Sequence, residues 1–145
     1  MIFSPLIRAA GRCFRRYAVF RGRADRSEFW YFLLFFCLGY VVIIGVDQWI
    51  DAPVVRLSSL PFGDWLPLAH ALDDAGLLVL LYRPVFFLPS AAVTVRRLHD
   101  IGKSGWWGLL WVLPVPLLGW FVLVPWLTRA SEPRPNAYGA VPEFS

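Results

Sequence analysis

Charge is scarce in this chain of 145 residues: Asp, Glu, Lys and Arg make up 17%, against roughly 25% in soluble domains. Hydrophobic residues reach 58%, above the roughly 45–50% of soluble domains. So small a globule cannot hide eight Trp, twelve Phe and five Tyr from water. An ordinary soluble enzyme does not fit, and neither does a disordered chain, which would be poor in aromatics. The composition points to a small membrane protein.

Cysteine is nearly absent. Cys13 lies in a basic segment and Cys37 in an apolar run, which gives no disulfide framework. Neither has a second Cys or a His at metal-ligand spacing. Both read as reduced, small apolar residues, and no metal or cofactor is expected. A cleavable secretory signal is also missing. Such a signal carries about 7–15 apolar residues and a small-residue cleavage site. Here the apolar run begins near residue 29, is longer, and no such site follows. The first span is expected to stay in the mature protein.

Acidic residues are rare near the N-terminus. Arg8, Arg12, Arg15, Arg16, Arg21, Arg23 and Arg26 precede the first long apolar run, opposed only by Asp25 and Glu28. Beside a membrane span, such a block favours cytoplasmic retention and attraction to anionic lipid. Nucleic acid, for which a basic block also argues, is not the expected partner. Within residues 3–19, Phe3, Leu6, Ile7, Ala10, Phe14 and Tyr17 recur at helical spacing, with Arg8, Arg12, Arg15 and Arg16 mostly opposite. This predicts an amphipathic helix lying on the membrane surface.

Three apolar stretches follow. Phe29 to Val46 is 18 residues without a charge, about 27 Å of helix against a hydrocarbon core of roughly 30 Å. Trp30 and Tyr31 open it as an aromatic belt would. Residues 47–74 carry five Asp against Arg56, with Pro53, Pro61, Gly63 and Pro67. They read as an outside loop, in which Leu60 to Leu72 rests on the interface with Trp65 as anchor. Ala75 to Val95 is the second span, interrupted by Arg83, Pro84 and Pro89, so a kink is expected. A polar loop, Arg96 to Gly105, leads to the third stretch, Trp106 to Leu127, disturbed by Pro114, Pro116 and Pro125. The expectation is a full third span, with a re-entrant hairpin folded at Pro114–Gly119 as the alternative. The expected division is 1–28 as a basic cytoplasmic segment, 29–127 as a helical bundle and 128–145 as an irregular tail. Counting Lys and Arg, ten on the N-terminal side against three on the other predicts a cytoplasmic N-terminus.

The densest polar cluster is Arg96, Arg97, His99, Asp100, Lys103 and Ser104. A phosphate loop is rejected: Gly102-Lys103-Ser104 imitates the end of that motif, but the required earlier Gly is Arg97. A Ser-His-Asp triad is poor, since adjacent His99 and Asp100 point about 100° apart on a helix. Arg96, Arg97 and Lys103, with Arg21, Arg23 and Arg26 on the same side, are candidates for an anionic headgroup, to which Arg is suited. The plainer reading is that these charges fix topology and cap helix C-termini. Arg83 lies eight residues into a span, where a charge faces a partner or water. An ion pair with Asp47, or with Asp73 or Asp74, is expected; snorkelling is the alternative.

Phe20-Arg21-Gly22-Arg23-Ala24-Asp25-Arg26-Ser27-Glu28-Phe29-Trp30 resembles a GRxSRxxFW signature. Leu88-Pro89 and then Val95 to Trp107 resemble RRLHDxGxSGWW. Leu113-Pro114 with Gly119 resembles IPxxG, and Asn136 to Gly139 resembles NxYG. Together these motifs resemble the bacterial domain-of-unknown-function 805 (DUF805) family over roughly residues 15–142. Asp25 departs from the small polar residue usual there, and the Arg83-Pro84 insertion is unusual. The resemblance implies a small polytopic inner-membrane protein and no particular activity. It marks Gly22, Arg23, Arg26, Trp30, Arg96, Arg97, His99, Asp100, Gly102, Ser104, Gly105, Trp106 and Trp107 as signature residues.

The expected fold is all-α: an interfacial helix plus three transmembrane helices, the second and third kinked at proline. Both signature motifs are expected on the cytoplasmic face and packed together, with Asp100 or Glu28 paired to an Arg of the other motif. The expected function is a non-enzymatic membrane module binding anionic lipid or a protein partner, a second copy included. The alternatives are a transporter or channel subunit using Arg83, and a lipid-modifying enzyme around His99 and Asp100.

Overall fold

Asp25 starts the first long helix. Its carboxylate accepts the backbone N–H of Glu28 at 2.7 Å, satisfying one donor that a helix N-terminus leaves open. The computed structural model describes residues 3–51, 53–55, 75–111 and 116–142. Its elements are α1 (Phe3–Arg15), α2 (Arg26–Trp49), β1 (Val54–Val55), β2 (Ala75–Gly76), α3 (Leu77–Asp100), a 3₁₀ turn (Gly105–Trp111) and α4 (Pro116–Thr128). Helices dominate, as expected. The short β1 and β2 pair antiparallel, Val54 opposite Gly76. The outer-interface segment Leu60 to Leu72, with Trp65, lies outside the described residues, as do Asp73, Asp74 and Pro114.

Among the described residues, α2 and α3 are the helices long and apolar enough to cross a membrane. Each has 24 residues, about 36 Å at the α-helical rise, which exceeds the roughly 30 Å hydrocarbon core. Leu38, Val41, Val42, Leu81, Val85 and Phe87 point outward and are exposed. In water such surfaces would drive aggregation; against lipid they are at home.

Two expectations need correction. The second span does not give way to a polar loop at Arg96, because α3 runs on to Asp100. It ends where Gly102, at φ 69°, takes the left-handed conformation. The N–H of Gly102 bonds the carbonyl of His99 at 3.1 Å, and that of Lys103 bonds Leu98 at 2.9 Å, a Schellman ending. The third stretch does not form the continuous helix expected over 106–127. It is divided into the 3₁₀ turn and the 13-residue α4, about 20 Å long and short of the core thickness. Gly119 of α4 sits so close to the 3₁₀ turn that a Cβ there would come within 2.8 Å of the Leu110 carbonyl oxygen. The two pieces therefore fold back on each other.

The chain divides into two compact units, residues 1–35 with 88–145, and residues 36–87. In the first, α1 buries Leu6, Ala9, Ala10 and Cys13 with Phe29 and Phe32 of α2, Val93 and Leu98 of α3, and Leu123 and Leu127 of α4. The inward stripe of α1 is rotated from the expected one: small Ala9 and Cys13 face inward, and Ile7 is 64% exposed. Small residues let helices approach closely, and this outweighs the greater apolar area of Ile7.

In the second unit, an aromatic cluster joins Phe36, Tyr40, Tyr82 and Phe86, with Tyr82 and Phe86 stacked at 4.1 Å. Tyr82 donates to the Phe36 carbonyl at 2.9 Å. The expected Arg83–Asp47 pair is not among the ion pairs of the described residues. Arg83 donates to the Tyr40 hydroxyl at 2.7 Å and lies over that ring. Asp47 instead accepts the N–H groups of Leu78 at 3.1 Å and Val79 at 2.9 Å. A carboxylate of α2 thus caps α3. Gly76 is needed beside it, since any Cβ there would strike the carboxylate. Asp47→Ala is expected to lower stability by about 1 kcal/mol, the usual worth of a helix cap, read as an earlier thermal transition in detergent; an unchanged transition would remove the cap from the list of stabilising contacts.

Candidate functional site

Adjacent arginines on a helix point about 100° apart, and Arg96 and Arg97 use that divergence to reach different partners. Both are fully buried, as are Asp100 and nearly so Glu28 and Arg23. Arg97 donates through Nη1 to Asp100 Oδ2, one turn on in α3, through Nε to the Leu127 carbonyl at 3.1 Å, and through Nη2 to that of Arg129. It thereby satisfies carbonyls at the end of α4, where a cation is also favoured by the helix dipole. Arg96 holds the turn that follows α1: Nη1 donates to the carbonyls of Val19 at 2.8 Å and Arg16 at 3.3 Å, and Nη2 to Glu28 Oε1 at 3.2 Å.

Arg23 completes the cluster from the first signature motif. Its Nε donates to Asp100 Oδ1 at 2.9 Å, Nη1 to the carbonyl of Arg134 at 2.8 Å, and Nη2 to that of Glu132 at 2.6 Å. Gly22, at φ 88°, makes the turn that delivers it, and Ala24 N–H is tied to the Arg96 carbonyl at 3.0 Å. Asp100 therefore carries one arginine on each oxygen. The two motifs pack together through both of the expected acids, Asp100 to Arg23 and Glu28 to Arg96.

His99 stands at the edge of the same cluster. Its Nδ1 meets the Gly22 carbonyl at 3.2 Å, and its ring stacks on Tyr138 at 4.0 Å. Asn136 donates to the His99 carbonyl at 3.0 Å and to Glu132 Oε2 at 2.7 Å. The NxYG segment is a small closed turn, with paired Asn136–Gly139 backbone bonds. The tail, expected to be irregular, is thus a built wall of the site. Sequence reasoning passed over Glu132, Asn136 and Tyr138; the NxYG resemblance was the available signal.

The remaining candidates have smaller roles. Ser104 Oγ accepts the Trp106 N–H at 3.4 Å at the start of the 3₁₀ turn. Lys103 Nζ lies 5.1 Å over the Trp126 ring, and Arg26 is exposed. Cys13 is enclosed by Arg96 and Glu28. Burial, aided by the Glu28 charge, pushes its thiol up to about 12, so it stays protonated and inert near neutral pH.

The arrangement holds backbone rather than presenting groups for chemistry. Arg23, Arg96, Arg97 and Asp100 are buried, the arginines directed at carbonyls and at carboxylate partners. Outside them, α1 and the tail enclose a cavity of about 220 Å³ lined by Arg12, Arg16, Gly22, Arg23, Glu28, Gly139, Ala140 and Pro142.

The chain matches the family described as "Protein of unknown function (DUF805)" over residues 17–140. It is 31% identical to "Inner membrane protein YhaH" of Escherichia coli (strain K12) over 130 residues, 90% of this chain and 92% of that protein. It is 34% identical to "Inner membrane protein YhaI" of the same strain over 130 residues, 90% of this chain and 91% of that protein. No solved structure matches it.

Asp100→Asn removes the charge that two buried guanidinium groups share. Removing one partner of a buried pair costs about 3–5 kcal/mol. Thermal unfolding in detergent is expected to shift accordingly, and the tail after Thr128 to become cleavable by added protease. A tail as resistant as in the unaltered protein would contradict the role assigned to Asp100.

Proposed function

Because the chain belongs to the DUF805 family and is an integral protein of the bacterial inner membrane, like its relatives, we propose that it is a non-enzymatic membrane module whose cytoplasmic face binds anionic lipid headgroups. One observation carries this reading. The polar residues of the signature motifs are engaged in holding backbone, whereas Arg8, Arg15, Arg16 and Arg21 stay exposed on and beside α1. Exposed Ile7 and Phe14 accompany them. An amphipathic helix with cations flanking apolar side chains suits an anionic bilayer surface. His99 and Asp100, the pair on which an enzyme reading rests, are occupied by Gly22, Tyr138 and two arginines.

The proposed topology has α2 and α3 as spans, the N-terminus inside, and the 3₁₀ turn with α4 as a re-entrant hairpin. Its support is the hydrogen bonding of the tail to Arg23 and His99, which keeps the tail with the N-terminal motif. Trp106 and Phe121, both more than three-quarters exposed, are suited to the hairpin's lipid side. With the tail inside, twelve of the fourteen Lys and Arg residues fall on the cytoplasmic side, in the sense of the positive-inside rule.

Native mass spectrometry of the protein released from membranes tests the reading. Retained lipid is expected to be enriched in anionic over zwitterionic species. An Arg8/Arg12/Arg15/Arg16→Gln variant is expected to lose at least about tenfold of that preference, since each such cation is worth about 1 kcal/mol near an anionic surface. Unaltered protein without any anionic preference would refute the reading.

A further inference from the structure

The cavity beside the buried cluster has a composition of its own. Arg12 of α1 and Arg16, just past its end, lie one turn apart, the Arg16 N–H bonding the Arg12 carbonyl at 3.1 Å, and so share one face. Arg23 lines the same space, and among the described residues Glu28 is its one acidic lining residue. Arg23 is directed to Asp100 and to carbonyls of the tail. Glu28 is shared by Arg96 at 3.2 Å and Arg12 at 3.8 Å. Arg16 makes no direct ion pair among the described residues, its charge acting on Glu28 from further off. Its main chain is engaged, the N–H by the Arg12 carbonyl and the carbonyl by Val19 and Arg96, whereas its side chain is exposed. The cavity therefore carries surplus positive charge.

Its backbone walls are bare. Gly22 at φ 88° and Gly139 at φ 133° both line it, and a Cβ added at either would meet nothing within 4 Å. A ligand can approach the main chain there without displacing a side chain. The volume of about 220 Å³ is below the roughly 300–1,000 Å³ of drug-sized sites, so the space suits one small group.

We propose that this cavity binds a phosphate monoester group through Arg12 and Arg16. The planar fork of Arg matches phosphate oxygens bidentately. A monoester carries about −1.5 to −2 charges near neutral pH, which the surplus cations complement. It also presents three unsubstituted oxygens to the guanidinium groups, whereas a phosphodiester presents two and carries a further substituent. This rests on the reading of the cytoplasmic face as an anionic headgroup surface and narrows it to one chemistry at one site. The same group occurs on a lipid headgroup and as free phosphate.

The test uses the full chain in detergent, with dioleoyl phosphatidic acid, phosphatidylglycerol and phosphatidylcholine offered in equal amounts and native mass spectrometry as readout. Phosphatidic acid is expected to be retained over phosphatidylglycerol. Arg12→Gln/Arg16→Gln is expected to lower that retention about tenfold, as loss of charge-assisted contacts implies. Arg8→Gln/Arg15→Gln, which alters cations of the headgroup surface outside the cavity, is expected to lower total anionic lipid but to change the ratio of phosphatidic acid to phosphatidylglycerol by less than about twofold. Arg16→Gln alone leaves the carbonyl held by Arg96 in place, so its thermal transition is expected to match the unaltered protein while retention still falls. In a parallel arm, inorganic phosphate is added to delipidated protein. Stabilisation that Arg16→Gln abolishes, without a preference for phosphatidic acid, assigns the site to free phosphate; the preference without that stabilisation assigns it to the headgroup. Anionic lipid lost equally from both double variants overturns the site but leaves the headgroup surface standing. Absence of anionic lipid from the unaltered protein, with no response to phosphate, overturns both.

Discussion

A single buried carboxylate organises the larger unit. Asp100 sits at the end of α3 with Arg97 on one oxygen and Arg23 on the other. Burying so many ions costs several kcal/mol each, and such a cluster persists only where every charge is paired and hydrogen-bonded. Here each guanidinium answers a carboxylate and also holds backbone: Arg97 the end of α4, Arg96 the turn after α1, Arg23 the tail; Nε of Arg96 has no partner among the described residues. The carbonyls left open at the ends of short helices become the ligands of buried cations. Neither the helix ends nor the arginines would be stable in the interior alone.

The same logic recurs at smaller scale in the other unit. Asp47, from α2, caps the first turn of α3, and Arg83 is received by a tyrosine hydroxyl and its ring. Polar groups within apolar helices are placed where they answer a backbone end or an aromatic face. In a bilayer, where water is not available as a partner, this is the requirement that each polar group must meet.

The division of labour among the cations follows. Those turned inward serve the fold and are withdrawn from any ligand. Those left on α1 serve the surface. Charge density along the chain does not distinguish the two sets: Arg15 and Arg16 look like Arg96 and Arg97 in the sequence, yet one pair is exposed and the other fully buried. The difference lies in what each pair meets.

Some features were legible in one dimension because their causes are local. Eighteen uncharged residues from Phe29 onward announce a span, and basic and apolar residues at helical spacing announce α1, each depending only on residues within a few turns. The pairing of Asp100 and Glu28 with arginines of the other motif was also foreseeable from opposite charges on a shared side. Other features depend on residues far apart in the chain. The fold-back of the third stretch is built on the contact of Gly119 with Leu110, whereas its length and hydropathy favoured a full span over the hairpin. The inward rotation of Arg23, Arg96 and Arg97 requires carbonyls supplied by residues up to 116 positions away. The capping of α3 by Asp47 joins residues 31 and 32 apart. Hydropathy and spacing determine which segments leave water, because that is a property of each segment. Which polar groups go with them is decided only by the tertiary structure, because a buried charge is stable solely beside the partner that the fold brings to it.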